Sequence, residues 1–264
     1  MNQSPEVSDF AKLYPYQLDD YQLSACEELA AGAGVLVAAP TGAGKTVVGE
    51  FAVHMAIATS RKCFYTTPIK ALSNQKYHDL TAVYGADRVG LLTGDISINS
   101  EADIVVMTTE VLRNMLYEHS TTLNALRFVI LDEVHYLADR FRGPVWEEVI
   151  IHLPRQVSVI GLSATVSNVE DFSSWISSVR GDTKLVVSER RPVPLEQHVL
   201  VQADDHTEPE LLDLYRRTRV RRRTAMFSSR EDASPAVPGE PSDDDLGIDT
   251  GTDIIVRDDS ADLS

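Results

Sequence analysis

The chain has 264 residues, 43% of them apolar and 7% aromatic, with a formal net charge of −16, a length that buries one sizeable core with room for an appendage. Its two cysteines, Cys26 and Cys63, exclude a disulfide framework, and without C-x-x-C spacing they offer no thiolate metal or redox site. The opening MNQSPEVSDF lacks the basic and apolar regions of a leader, and no apolar run approaches the roughly 20 residues of a membrane span, so a soluble cytoplasmic protein is expected. The acidic balance argues against a simple nucleic-acid binder. However, 16 acidic against 8 basic residues lie past residue 200, so the tail carries half of the excess and the body is only mildly acidic.

In chain order, seven short runs are spaced from Val35 to Ser188: VLVAA (35–39), CFYTT (63–67), RVGLL (88–92), IVVMT (104–108), FVILD (128–132), VSVIGL (157–162) and KLVVS (184–188). Most are apolar throughout instead of alternating, as strands are when helices cover both faces of a parallel sheet. Between the first two, Val48, Phe51, Ala52 and Met55 recur at helical spacing. Pro144 opens PVWEEVIIHL where a missing N–H is harmless, and Ser167 with Glu170 has capping-box spacing before DFSSWISS. The pattern is α/β: a doubly wound, mostly parallel sheet with helices on both faces, spanning about residues 1–200. Residues 201–227 contain a candidate helix or linker, EPELLDLYRRTRVRRR, whose arginines read first as a solvated charge run. Residues 228–264, rich in Ser, Pro, Gly and Asp, are expected to be a disordered acidic tail.

The first run leads into APTGAGKT, Ala39 to Thr46, followed at once by the amphipathic helix. The general phosphate-loop pattern begins with Gly where this chain has Ala39, but Pro40, Thr41, Gly42, Ala43, Gly44, Lys45 and Thr46 fall where a strand turns into a helix. Gly42 and Gly44 let backbone N–H groups curl around phosphate oxygens, Lys45 supplies charge, and Thr46 offers a hydroxyl to Mg²⁺. An ordinary glycine turn is the alternative, disfavoured by that context.

The fifth run ends in Asp132, and Glu133 follows it. A carboxylate there suits a magnesium ion bridging ATP phosphates, and a second one residue on suits activation of the attacking water. An acid pair that merely caps the next helix is the competing explanation. The sixth run leads into Ser163, Ala164 and Thr165, uninformative alone.

The order of these three segments resembles the first RecA-like domain of superfamily 2 helicases, in which they are motifs I, II and III. TTPIKALSNQK (66–76), LLTGD (91–95) and VVMTTEVLRNML (105–116) look like the family's nucleic-acid-contact motifs, and YPYQLDDYQLSA (14–25) resembles the region in which Gln22 would recognise adenine. DEVHYLADRFRGPVWEEVIIHLP (132–154) and RRPVPLE (190–196) are similar to the superkiller-type DExH RNA helicases and their HelY-like relatives.

The resemblance implies an ATP- and Mg²⁺-dependent motor. Lys45 and Thr46 would hold phosphate and metal, Asp132 the metal, and Glu133 would activate water. His135, Ser163, Ala164 and Thr165 would couple nucleotide state to movement, with a carbonyl-bonded core histidine as the alternative for His135. Pro68, Lys70, Gly94, Asp95 and Thr109 would line a track for single-stranded RNA or DNA. No motif VI follows Thr165, so the resemblance also implies that efficient hydrolysis needs a second RecA-like domain: either the chain is a truncated or split gene product, or a second polypeptide supplies that domain. A phosphoryl-transfer site without an arginine finger loses about three to five orders of magnitude in rate. A non-catalytic, nucleotide-gated module that binds RNA or a partner is the rival.

Overall fold

The computed structural model describes residues 4–140, 142–164, 169–194, 198–202 and 209–213. The chain divides into two units, Met1–Val193 and Pro194–Ser264. The first opens with helices α1 (Pro5–Ala11) and α2 (Asp20–Ala30). Strand β1 (Gly34–Ala38), helix α3 (Thr46–Ala58), β2 (Lys62–Thr67), α4 (Lys70–Tyr84), β3 (Val89–Leu92) and the two-residue β4 (Ser97–Ile98) follow. Next come β5 (Ile104–Thr108), α5 (Thr109–Tyr117), β6 (Leu126–Leu131), α6 (Gly143–His152), β7 (Ser158–Ser163), α7 (Val169–Arg180) and β8 (Thr183–Val187).

The eight strands form one sheet in the order β4-β3-β5-β2-β6-β7-β1-β8. Every neighbouring pair is parallel except β3 with β4, where the chain turns back at the sheet's edge. Alternate side chains of one strand face opposite ways, and here both ways are core. Val35 and Val37 of β1 join Tyr65, Ile130 and Ile160 under α1 to α4, where Phe10, Phe51 and Leu80 are buried. Leu36 and Ala38 join Phe64, Val129 and Leu131 under α5 to α7, where Leu112, Trp146 and Ile176 are buried. This is why the runs are apolar throughout. The stripe expected on α3 is met: Val48, Phe51 and Ala52 are buried, and Met55 packs at the margin of the same cluster. Pro144 sits in the first turn of α6 as expected.

In the second unit, β9 (His198–Val201) pairs antiparallel with β10 (Glu210–Asp213), with Leu200 opposite Leu211. The helix suggested from 208 onward gives way to strand over Glu210–Asp213. ELLD reads equally well at either period, and pairing with β9 decides for strand. The rest of that segment, the expected acidic tail at 228–264, the cap residue Ser167 and Thr165 all lie outside the described residues. Among the described residues no helix is long and apolar enough to cross a membrane.

Candidate functional site

In the sheet, β1, β7 and β6 are neighbours, so the segments leaving their carboxyl ends lie side by side. That edge of a doubly wound sheet is where ligands bind. Only β7 separates the Ala39–Thr46 loop from Asp132, a lateral offset of about 10 Å at ordinary strand spacing. Ala38 of β1 is in register with Ser163 of β7, and the Ala39 amide donates to the Ser163 carbonyl at 3.1 Å.

The loop turns at Gly42 and Gly44, with φ of 80° and 82°, in the left-handed region that a Cβ disfavours. At Gly44 a Cβ would also lie 2.8 Å from Gln22 Nε2. Thr41, Gly42 and Gly44 are exposed, Ala43 is buried, and Lys45 and Thr46 are half-buried where α3 begins. Lys45 Nζ donates to the Ala39 carbonyl at 2.9 Å and the Pro40 carbonyl at 3.1 Å, folding the ammonium across its own loop. Burial lowers its pKa, opposed by the nearby charges of Glu133 and Asp132.

Helix α2 braces this loop. Gln22 is buried, its Oε1 accepts from the Asp19 amide at 2.8 Å, and its Nε2 donates to the Gly44 carbonyl at 2.8 Å. Both polar ends of the amide are thus engaged within the protein. The Tyr21 hydroxyl donates to the Ala43 carbonyl. Beside α2 and the end of β8 lies a cavity of about 650 Å³ lined by Leu18, Asp19, Tyr21, Ser24, Ser188 and Arg190.

Asp132 follows β6, its amide donating to the Thr66 carbonyl at 3.0 Å. Its two oxygens have separate partners. Oδ1 accepts from the Glu133 amide at 2.9 Å, and Oδ2 accepts from the hydroxyl of fully buried Tyr65 at 2.8 Å. Glu133 has φ 52° and ψ 43°, a left-handed backbone for a residue with a Cβ. The turn throws successive acids in different directions. Burial first, then the charge of Asp132, raises the pKa of Glu133. His135 Nδ1 lies 3.2 Å from Glu133 Oε2 without the alignment of a hydrogen bond, and stays buried without a hydrogen-bonded partner. No carbonyl holds it at that nitrogen. Ser163 is buried and its hydroxyl donates to the Ala164 carbonyl at 2.8 Å.

The remaining expected residues gather at the carboxyl ends of β2, β5 and β3, also neighbours in the sheet. Lys70 Nζ pairs with Asp95 Oδ1 at 2.8 Å, and the Thr93 hydroxyl reaches the same carboxylate at 2.9 Å. Lys70, Gly94 and Asp95 are exposed, whereas Pro68 and Thr109 are buried. Thr109 Oγ1 donates to the Thr67 carbonyl at 3.4 Å, tying the start of α5 to the end of β2. Arg142, absent from the sequence expectations, reaches the Pro68 carbonyl at 3.5 Å. Tyr65 was missed too, because a tyrosine inside an apolar strand carries no signal of what its hydroxyl meets.

A glycine loop between a strand and a helix, an acid pair two strands away, and a doubly wound parallel sheet define a RecA-like motor domain of the P-loop NTPase class. Comparison with known proteins gives the family: residues 19–172 match the DEAD/DEAH box helicases, and the chain belongs to that family. It is 65% identical over 201 residues to the probable helicase HelY of Mycobacterium tuberculosis, covering 76% of this chain and 22% of that protein. It is 48% identical over 190 residues to the antiviral helicase SKI2 of Saccharomyces cerevisiae, covering 72% of this chain and 15% of the relative. The helicase Lhr of Mycobacterium smegmatis, solved with ssDNA and AMP-PNP, superposes with a TM-score of 0.57 at 27% identity over 70% of this chain and 28% of that one. The chain therefore spans about a fifth of the length of these curated relatives, the part that holds the first RecA-like domain.

Proposed function

We propose that this chain is the ATP-binding first motor domain of a DExH-type helicase acting on single-stranded RNA or DNA, with hydrolysis completed by a second RecA-like domain. The observation that carries the proposal is the juxtaposition of the Lys45 loop with Asp132 and Glu133 across β1, β7 and β6. The triphosphate lies in the loop, with Gly42 to Thr46 turning their amides toward it and Lys45 releasing the Ala39 and Pro40 carbonyls to meet it. The base occupies the cavity beside Tyr21 and Arg190, and Gln22 reads adenine by exchanging its bond to Gly44.

The donor set suits Mg²⁺. Thr46 contributes a hydroxyl and Asp132 a carboxylate, all oxygen and few in number, and no cage of three or more His, Cys, Asp or Glu exists among the described residues. An ion that keeps its waters and takes phosphate oxygens needs no more than this. When bound, it neutralises charge on the phosphates. Glu133 orients and deprotonates the attacking water, and its raised pKa brings its basicity nearer to the working pH. His135, Ser163, Ala164 and Thr165 relay the nucleotide state to domain movement. Pro68, Lys70, Gly94, Asp95 and Thr109 form the strand track, with the N-termini of α4 and α5 offering backbone amides to phosphates. A compartment without membrane insertion, the cytoplasm, fits this role.

Calorimetric titration with Mg-ATP tests the nucleotide site. Lys45→Ala is expected to lose most affinity while the chain still folds, and equal affinity would give the loop another purpose. With the second domain added in trans, RNA-stimulated turnover should appear and Glu133→Gln should abolish it. Turnover indifferent to Glu133 would leave the nucleotide-gated binding module as the answer.

A further inference from the structure

At the amino-terminal edge of the sheet, a strand length of roughly 17–20 Å from the nucleotide loop, the starts of β6, β7, β1 and β8 surround a cavity of about 520 Å³. Arg61, Arg127, Arg155 and Arg180 all line it. Two of the four are fixed from behind. Arg180 donates to the carbonyls of Leu153, Pro154 and Val157, the last two at 2.8 Å, and Arg127 donates to the Gln156 carbonyl and to Ser158 Oγ at 3.0 Å. These bonds orient the guanidinium groups without neutralising them.

Arg61 and Arg155 are exposed, and among the described residues their guanidinium groups have neither a hydrogen bond nor an ion pair. The acid in the lining, Asp182, is already paired with Lys184 at 2.9 Å. Burial lowers the pKa of Arg180, and the like charge of Arg155 adds to the effect. In a chain of net charge −16, four arginines lining one hollow against a single acid, itself paired with Lys184, are a local reversal of the whole molecule's field.

We propose that this hollow is an anion site for a compact, multiply charged phosphate group, a pyrophosphate or triphosphate moiety, separate from the nucleotide loop. Guanidinium forks match pairs of phosphate oxygens. The volume is that of a small-ligand site, and the four arginines line one hollow instead of forming the extended row that a passing strand follows. Because the protein as a whole repels anions, binding depends on the local cluster and weakens with salt.

The test is calorimetric titration of the Lys45→Ala chain with sodium pyrophosphate, so that the nucleotide loop does not compete. One equivalent should bind, and Arg61→Ala/Arg155→Ala should weaken it at least tenfold with an unchanged melting temperature, since neither side chain holds a partner. Arg88→Ala, an exposed arginine on the same edge but several strands away, should leave affinity as it was. Three results would overturn the proposal: no binding, an equal loss in Arg88→Ala, or a 5′-hydroxyl single strand that binds through Arg61 and Arg155 more tightly than pyrophosphate. The last would make the surface a reader of nucleic-acid backbone.

Discussion

Glu133 has a left-handed backbone and a carboxyl group whose pKa is raised by burial and by Asp132. Folding therefore favours its protonated form. That contribution is full at low pH and disappears as pH rises through the folded pKa. Glu133→Gln removes the cost of the charge, so the variant should melt above the wild type at about pH 8, with the gap closing toward pH 4. Thermal scans across that range check it, and a gap that widens on acidification would reverse the sign. Tyr65 bears on the same acid pair from the other side. Burial and the charge of Asp132 push its pKa well above the ordinary tyrosine value, keeping the hydroxyl a donor to Oδ2. Tyr65→Phe removes that donor to a charged carboxylate without opening a cavity, at about 1.5–3 kcal/mol. ATP binding measured across a magnesium series should then need severalfold more metal; an unchanged magnesium dependence would detach Tyr65 from the positioning of Asp132. None of this was legible in the sequence. The motifs name the acids, but a glutamate at positive φ has no compositional signature, unlike Gly or Asn. Nor does the sequence show that Gln22 spends its amide on the phosphate loop or that the Thr109 hydroxyl turns inward.

At the scale of elements, the acid turn is held by α6. Trp146 is fully buried and stacks on Tyr136 of the 3-10 turn Val134–Ala138, with ring centroids 6.3 Å apart. Trp146→Ala should cost about 3–5 kcal/mol through cavity formation. Trp146→Phe should cost much less, because the indole Nε1 has no hydrogen-bond partner to lose. Denaturant melts of the two variants separate packing from hydrogen bonding; equal losses would point to a bond at Nε1. Elements of this buried kind were the readable ones. All seven expected runs are strands, and in all but the half-exposed edge strand β8 two covered faces force continuous apolar sequence. The elements missed have weak patterns: β4 is two residues long, and α1 buries only Val7 and Phe10. Glu210–Asp213 shows the converse, a plausible helical stretch overruled by its partner strand.

For the molecule as a whole, every described residue of the proposed nucleotide site falls within the unit Met1–Val193. A fragment of residues 1–193 should therefore fold and bind Mg-ATP as tightly as the full chain, and calorimetry on both compares them. A fragment that folds but binds more weakly would make the second unit part of the site. In the function proposed above, the phosphate loop, the metal ligands and the base all come from this one unit.

Lys45 lying across the Ala39 and Pro40 carbonyls has a consequence for time as well as affinity. The loop is latched by its own cation through these two bonds, so a nucleotide meets a shut door that must first swing open. Arrival and capture then become separate events. With a fluorescent ATP analogue in stopped flow, the observed rate should climb with ligand concentration and level off at the opening rate of the latch. A line that rises without bending, up to the fastest rates the instrument follows, would mean that the latch opens too quickly to be felt.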